Sequence, residues 1–279
     1  MHVRLPLALV IIVASLGLWS AAPAGAAPVR YLDEVFSSVR TLEDVMYGTS
    51  SQDGRLVALR LDLYQPAGDT APARPLIIWL HGGGFSRGDK GAPQMVDIAT
   101  AFARRGFVTA SINYRLTSGG CDAGLELDAG CTQAITAARS DALDAVAYLR
   151  TNAATYRIDP DRIAIGGTSS GAITAVNVAF SSAGNPTTGV SAAVSLSGAK
   201  AIAQADPGDS PVLLFNGTAD PVVPYPLAQA TIADADASSV PAALVSYPDE
   251  GHQIYEAHRT AIQEKASSFL FNRLDLGAT

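Results

Sequence analysis

Beyond its first two dozen residues this 279-residue chain holds no apolar run long enough to cross a membrane, which takes about 20 residues. Positive charge is also scarce: 19 basic side chains face 26 acidic ones, for a net charge of −7, and no basic stripe breaks the pattern. Nucleic acid and anionic membrane partners therefore do not fit. There are two cysteines and four histidines, and no histidine lies near either cysteine, so a four-ligand structural zinc site has nothing to draw on. Internal repeats, charge blocks and a Pro/Gly-rich linker are missing too. The chain from residue 27 to 279 thus reads as one domain, of a length α/β folds routinely use.

What is present begins with an export signal over residues 1–26. His2 and Arg4 form a short polar start, Leu5 to Trp19 an apolar core, and Ala24-Gly25-Ala26 a small-residue cleavage site. The core is short for a span; a retained membrane anchor is the alternative. Cleavage removes Arg4 and leaves a net charge of −8, so the expected product is a secreted, acidic, soluble protein without stable membrane insertion. In an exported chain, Cys121 and Cys131, ten positions apart in a Gly/Asp-rich stretch, read as a local disulfide. Two buried free thiols are the plainer reading. Oligomeric state leaves no signal.

Strand and helix patterns alternate downstream. Leu56–Tyr64 alternates apolar and polar residues as a half-buried edge strand, and Pro75–Leu80 is a continuous apolar run, as for a strand covered on both faces. Met95–Arg105 has helical spacing stopped by Gly106, and Phe107–Asn113 is another buried strand. Thr132–Asn152 is helical, Asp159-Pro160 leads into the apolar Ile163–Ile165, and Val190–Leu196, Val212–Asn216 and Ala242–Tyr247 are further strands. Arg259–Leu274 closes the chain as an amphipathic helix. Such alternation predicts an α/β fold: a mostly parallel central sheet with helices on both faces and functional residues on loops at the carboxyl ends of the strands.

Four segments at such ends carry chemistry. Gly167-Thr168-Ser169-Ser170-Gly171 sits between an apolar strand and a small-residue helix, the setting in which Gly-x-Ser-x-Gly forces a sharp turn and exposes the serine hydroxyl. His81-Gly82-Gly83-Gly84-Phe85 follows Leu76–Leu80; glycines there bare the main-chain N–H groups a developing oxyanion needs, though three glycines alone are often a flexible turn. His81 precedes them and suits bracing the loop better than acting as a base. Asp220 lies just past Leu213–Gly217; Asp-Pro is common in ordinary turns, yet Asp206, Asp209, Asp234 and Asp236 do not directly follow such a strand. His252 follows the last strand and completes the order Ser169, Asp220, His252, with His258, near the final helix and expected at the surface, as the rival base. The amides of Gly83, Gly84 and Ser170 then form the oxyanion site.

With these motifs, and with Asn113-Tyr114-Arg115-Leu116 and Asp159-Pro160-x-Arg162-Ile163 before the elbow, the chain resembles the α/β-hydrolases of the carboxylesterase/lipase superfamily from about Asp44 to Leu274. The resemblance implies the α/β-hydrolase fold, a serine carboxylesterase working without metal or cofactor, and Ser169, Asp220 and His252 as its triad. Ser170 departs from the alanine many relatives carry. Only Ser197–Ser210 separates the two strands between which relatives insert a helical cap, so no large cap domain is expected. The Cys121–Cys131 loop and Tyr31–Tyr47 are left to shape the pocket mouth. An open, shallow site would suit small or polymer-borne esters with short or exposed acyl groups. A secreted serine peptidase of the same fold is the alternative, because a triad alone does not separate ester from amide; a catalytically silent scaffold would usually lack a triad member.

Overall fold

The computed structural model describes residues 27–52, 54–185 and 189–278; the expected export signal over residues 1–26 lies outside them. Eight strands form one sheet in the order β1-β2-β4-β3-β5-β6-β7-β8. They are β1 (Val39–Gln52), β2 (Arg55–Pro66), β3 (Arg74–Leu80), β4 (Val108–Ile112), β5 (Ile158–Thr168), β6 (Ala192–Leu196), β7 (Val212–Gly217) and β8 (Ala242–Tyr247). β1 and β4 pair antiparallel with β2, and the remaining five pairings are parallel.

The apolar runs explain the layering. All seven residues of β3 are buried, and its side chains alternate between two cores. Leu76, Ile78 and Leu80 join a cluster with Ala134, Ala138, Ile173 and Val176 of the helices α2 (Ala129–Thr151) and α4 (Ser170–Ala179). Ile77 and Trp79 face the other way, onto Ile98, Phe102, Ile262 and Leu270 of α1 (Pro93–Arg104) and α6 (Ile254–Arg273). β7 splits likewise, Val212 and Leu214 to the first core and Leu213 and Phe215 to the second. Each fully buried side chain of this size contributes about 1.5–3 kcal/mol. The short α3 (Ala153–Tyr156) leads into β5, and α5 (Tyr225–Ala237) joins β7 to β8. Residues 197–211, between β6 and β7, form no helix or strand, so no cap is inserted there. No described helix is long and apolar enough to cross a membrane.

Two sequence expectations are corrected. Leu56–Tyr64 is not the edge: β1 covers its outer side, pairing from Val39 opposite Pro66 to Gln52 opposite Arg55. Two register shifts, at Leu42/Val45 and Met46/Gly48, and the left-handed Asp44 (φ 58°) break the period-2 pattern that would have marked β1 as a strand. Tyr31–Tyr47, expected at the pocket mouth, instead runs into this far edge of the sheet. The Cys121–Cys131 disulfide is present, and Asp128 caps the start of α2 by accepting the Cys131 N–H at 2.7 Å.

Candidate active site

The sheet delivers the singled-out residues to one end. β5 ends at Thr168, and Ser169 turns the chain into α4 with φ 54° and ψ −121°, a strained geometry for a side-chain-bearing residue. The turn fits because its flanks have no side chains. A Cβ on Gly167 would stand 2.5 Å from the Gly171 carbonyl carbon, and one on Gly171 would stand 2.2 Å from the Leu80 oxygen. The Ser169 N–H is held by the Leu196 carbonyl at 2.9 Å.

His252 Nε2 lies 2.9 Å from Ser169 Oγ, and His252 Nδ1 lies 2.8 Å from Asp220 Oδ2. A carboxylate only accepts, so the Nδ1–H donates to Asp220 and a neutral imidazole presents its Nε2 lone pair to the serine hydroxyl. The other Asp220 oxygen accepts the Val222 and Val223 amides at 2.8 and 3.0 Å. The Asp220 side chain is fully buried and the imidazole is 12 % exposed. The structure thus brings Ser169, Asp220 and His252, distant in sequence, into one hydrogen-bonded line.

Several groups that hold this line carried no sequence signal. Ser197 Oγ, just past β6, donates to the His252 carbonyl at 2.7 Å, and the Ala219 amide donates to the Glu250 carbonyl at 2.9 Å, fastening the Asp220 loop to the His252 loop. Gly217 lets those loops pass, since a Cβ there would meet the Glu250 and Gly251 oxygens at 2.2 and 2.3 Å. His258, expected at the surface, is half-buried, stacked on Tyr247 and bonded to Glu250 Oε1 at 3.1 Å. It makes no hydrogen bond to Ser169.

The glycine loop after β3 takes positive φ at Gly83 (124°), Gly84 (60°) and Phe85 (63°). The Gly83 carbonyl accepts the Ser86 and Arg87 amides, and the Gly84 carbonyl accepts the Cys121 amide at 2.9 Å. The Gly83 and Gly84 amides themselves find no acceptor among the described residues. Ser170 opens α4, where helix amides lack intrahelical partners. Its hydroxyl turns away from the cleft and donates to Tyr114 Oη at 3.1 Å, while that phenol donates to the His81 carbonyl at 2.8 Å. Burial pushes the Tyr114 pKa well up, so it stays a donor. The Ser170 side chain therefore braces the elbow against the glycine loop. His81 braces the loop too: its Nδ1–H donates to the Gly82 carbonyl at 2.8 Å, its ring stacks on Tyr114, and burial lowers its pKa, keeping it neutral.

These groups face a cleft of about 660 Å³, whose other walls include Ser86, Arg87, Gln94, Asp122 and Gln253. Cys121 lines it, so the disulfide loop reaches the mouth, whereas no residue of 31–47 does. Asp44 contributes at a distance: with the buried Asp62 it holds Lys90, just beyond the glycine loop, through contacts of 3.0 and 2.8 Å.

Two family models match the chain: BD-FAE over residues 61–195 and the TAP-like protein model over residues 184–273. Phenmedipham hydrolase of Pseudarthrobacter oxydans is 35 % identical over 115 residues, 41 % of this chain; the match spans only 21 % of that enzyme's length. Among solved structures, apo esterase 2 of Thermogutta terrifontis superposes with TM-score 0.66 at 21 % identity, covering 82 % of this chain and 94 % of its own. A truncated carbohydrate esterase from gut microbiota superposes with TM-score 0.67 at 20 % identity, covering 87 % and 98 %. By its sheet order and by these matches, the chain has the α/β-hydrolase fold.

Proposed function

We propose that this protein is an exported serine carboxylesterase that uses Ser169 as nucleophile, His252 as general base and acid, and Asp220 to orient and stabilise the imidazole. The observation that carries the reading is the Ser169–His252–Asp220 line, with contacts of 2.9 and 2.8 Å, in a cleft also lined by Gly83 and Gly84, whose amides lack acceptors among the described residues. Ser169 Oγ attacks the ester carbonyl as its proton passes to His252 Nε2, and the oxyanion is held by the amides of Gly83, Gly84 and Ser170. Each such donor is worth about 3 kcal/mol. The tetrahedral adduct collapses as His252 protonates the leaving alcohol. A water molecule, deprotonated by His252, then attacks the acyl-enzyme, releasing the acid and restoring the Ser169 hydroxyl.

The cleft is uncapped and its walls carry the polar side chains of Ser86, Arg87, Gln94, Asp122 and Gln253, which favours short or exposed acyl groups over long aliphatic chains. The Thermogutta esterase that shares the fold has been solved with propionate and butyrate bound and phosphorylated by paraoxon, in keeping with that reading. The Cys121–Cys131 disulfide and the apolar amino-terminal segment support export. The test is a panel of p-nitrophenyl esters from acetate to palmitate beside an aminoacyl p-nitroanilide, run on wild type and Ser169→Ala. Preference for acetate to butyrate, with Ser169→Ala inert, supports the proposal. Faster hydrolysis of the anilide, or of palmitate, overturns it.

A further inference from the structure

A second cleft, of about 390 Å³, opens at the other end of the sheet and is lined by Arg40, Gln65, Asp69, Arg74, Thr155 and Arg157. Arg74 begins β3 and pairs with Ile158, at the start of β5, whereas His81 and Ser169 follow the far ends of those strands. Seven residues of strand at about 3.3 Å each place it on the order of 20 Å from the catalytic cleft. Three guanidinium groups share it with a single carboxylate, and that carboxylate is already occupied. Asp69 takes a two-pronged bond from Arg30, at 3.1 and 2.6 Å, and a further one from Arg74 Nε. Burial alone would raise its pKa, but these bonds and the Ala71 amide hold it well below the usual carboxylate range.

Arg40 and Arg157 are left over. Both are exposed, and neither side chain has a hydrogen bond or ion pair among the described residues. The acid nearest Arg157 in sequence, Asp159, pairs instead with Arg162 at 3.6 Å. Arg157 sits at φ 54°, ψ 47° at the end of α3, left-handed backbone that glycine adopts most easily. A long cationic side chain stands where the backbone would favour none, and it faces the cleft. Such a local excess of positive charge is out of keeping with a chain of net charge −7.

We propose that this cleft binds an oxyanion, a carboxylate, phosphate or sulfate group, through the guanidinium groups of Arg40 and Arg157. Their planar forks match the paired oxygens of such groups, and the Arg30–Asp69–Arg74 cluster forms the rigid, positive floor. The group comes either from a free small anion or from an anionic polysaccharide, and the probes separate the two sources. Full-length mature protein is titrated at low ionic strength, where surface charge is least screened, with inorganic phosphate, galacturonate, trigalacturonate and neutral maltotriose, and binding is followed by NMR shift changes. Arg40→Gln/Arg157→Gln and Arg157→Gly are titrated alongside, the latter keeping the backbone geometry. Wild type is expected to bind phosphate or trigalacturonate but not maltotriose, with at least tenfold weaker binding in the double variant and a severalfold loss in Arg157→Gly. Hydrolysis of p-nitrophenyl acetate stays unchanged and Tm is not lowered, which shows that both variants are folded. Trigalacturonate binding tenfold tighter than galacturonate identifies a polymer; equal affinities identify a free anion. No binding of either anion by wild type, or equal binding by the double variant, overturns the proposal.

Discussion

At the residue scale, the proposed mechanism requires Asp220 to fix which nitrogen of the His252 imidazole carries the proton. Asp220→Asn removes the acceptor for the Nδ1–H and favours the opposite tautomer, so kcat should fall by about 10⁴ with KM little changed, as steady-state hydrolysis of p-nitrophenyl acetate will show. The Val222 and Val223 amides keep that variant folded by holding the amide oxygen. Tyr114→Phe tests the brace behind the proposed oxyanion site. It removes one hydroxyl that bonds both the His81 carbonyl and Ser170 Oγ in a buried place, so urea unfolding should show a loss of about 1–3 kcal/mol. An effect below 0.5 kcal/mol, within the ordinary range for surface changes, would mean the bridge is idle.

At the element scale, the Cys121–Cys131 loop is tied to both halves of the site. The Cys121 amide bonds the Gly84 carbonyl, and the Gly124 amide bonds the Val222 carbonyl beside the acid at 2.8 Å. Cys121→Ser/Cys131→Ser should therefore lower stability by roughly 2–3 kcal/mol on the loop-entropy estimate, and should lower kcat below the unfolding temperature as well. Unchanged kcat in folded variant would confine the disulfide to stability. These elements also show what could be read in advance. Strands buried on both faces, such as β3 and β7, announce themselves as unbroken apolar runs; Ser169 and Asp220 were legible on loops after such strands, whereas His252 lies past β8, a strand only partly buried, and was legible by its order after Ser169 and Asp220. β1 was hidden by its two bulges, and α5 by alanines scattered around its axis, which leave only a faint apolar stripe. α6 starts at Ile254, five residues before the expected Arg259, because the non-helical backbone of His258 interrupts the pattern there. Ser197 and Tyr114 act through contacts with main-chain carbonyls brought close only by the sheet, which no local pattern encodes.

At the scale of the whole molecule, acid should unfold the protein partly through its buried carboxylates. Asp69, held below its usual pKa by Arg30 and Arg74 against the cost of burial, stabilises the fold above the unfolded carboxylate value of about 4, and that contribution disappears as pH falls toward its folded value. Thermal unfolding should accordingly show Asp69→Asn less stable than wild type at pH 7, with the gap narrowing between about pH 4 and pH 2; a constant gap would contradict the assignment. The eight-stranded sheet ties the site together, since β3, β5, β7 and β8 each supply one loop to it. The central claim is that the sheet makes one serine a nucleophile. It is tested most directly by mass spectrometry of the protein after reaction with a fluorophosphonate. The account predicts one adduct per chain, mapped to Ser169 and absent from His252→Ala. No adduct, an adduct on another residue, or undiminished labelling of His252→Ala would contradict it.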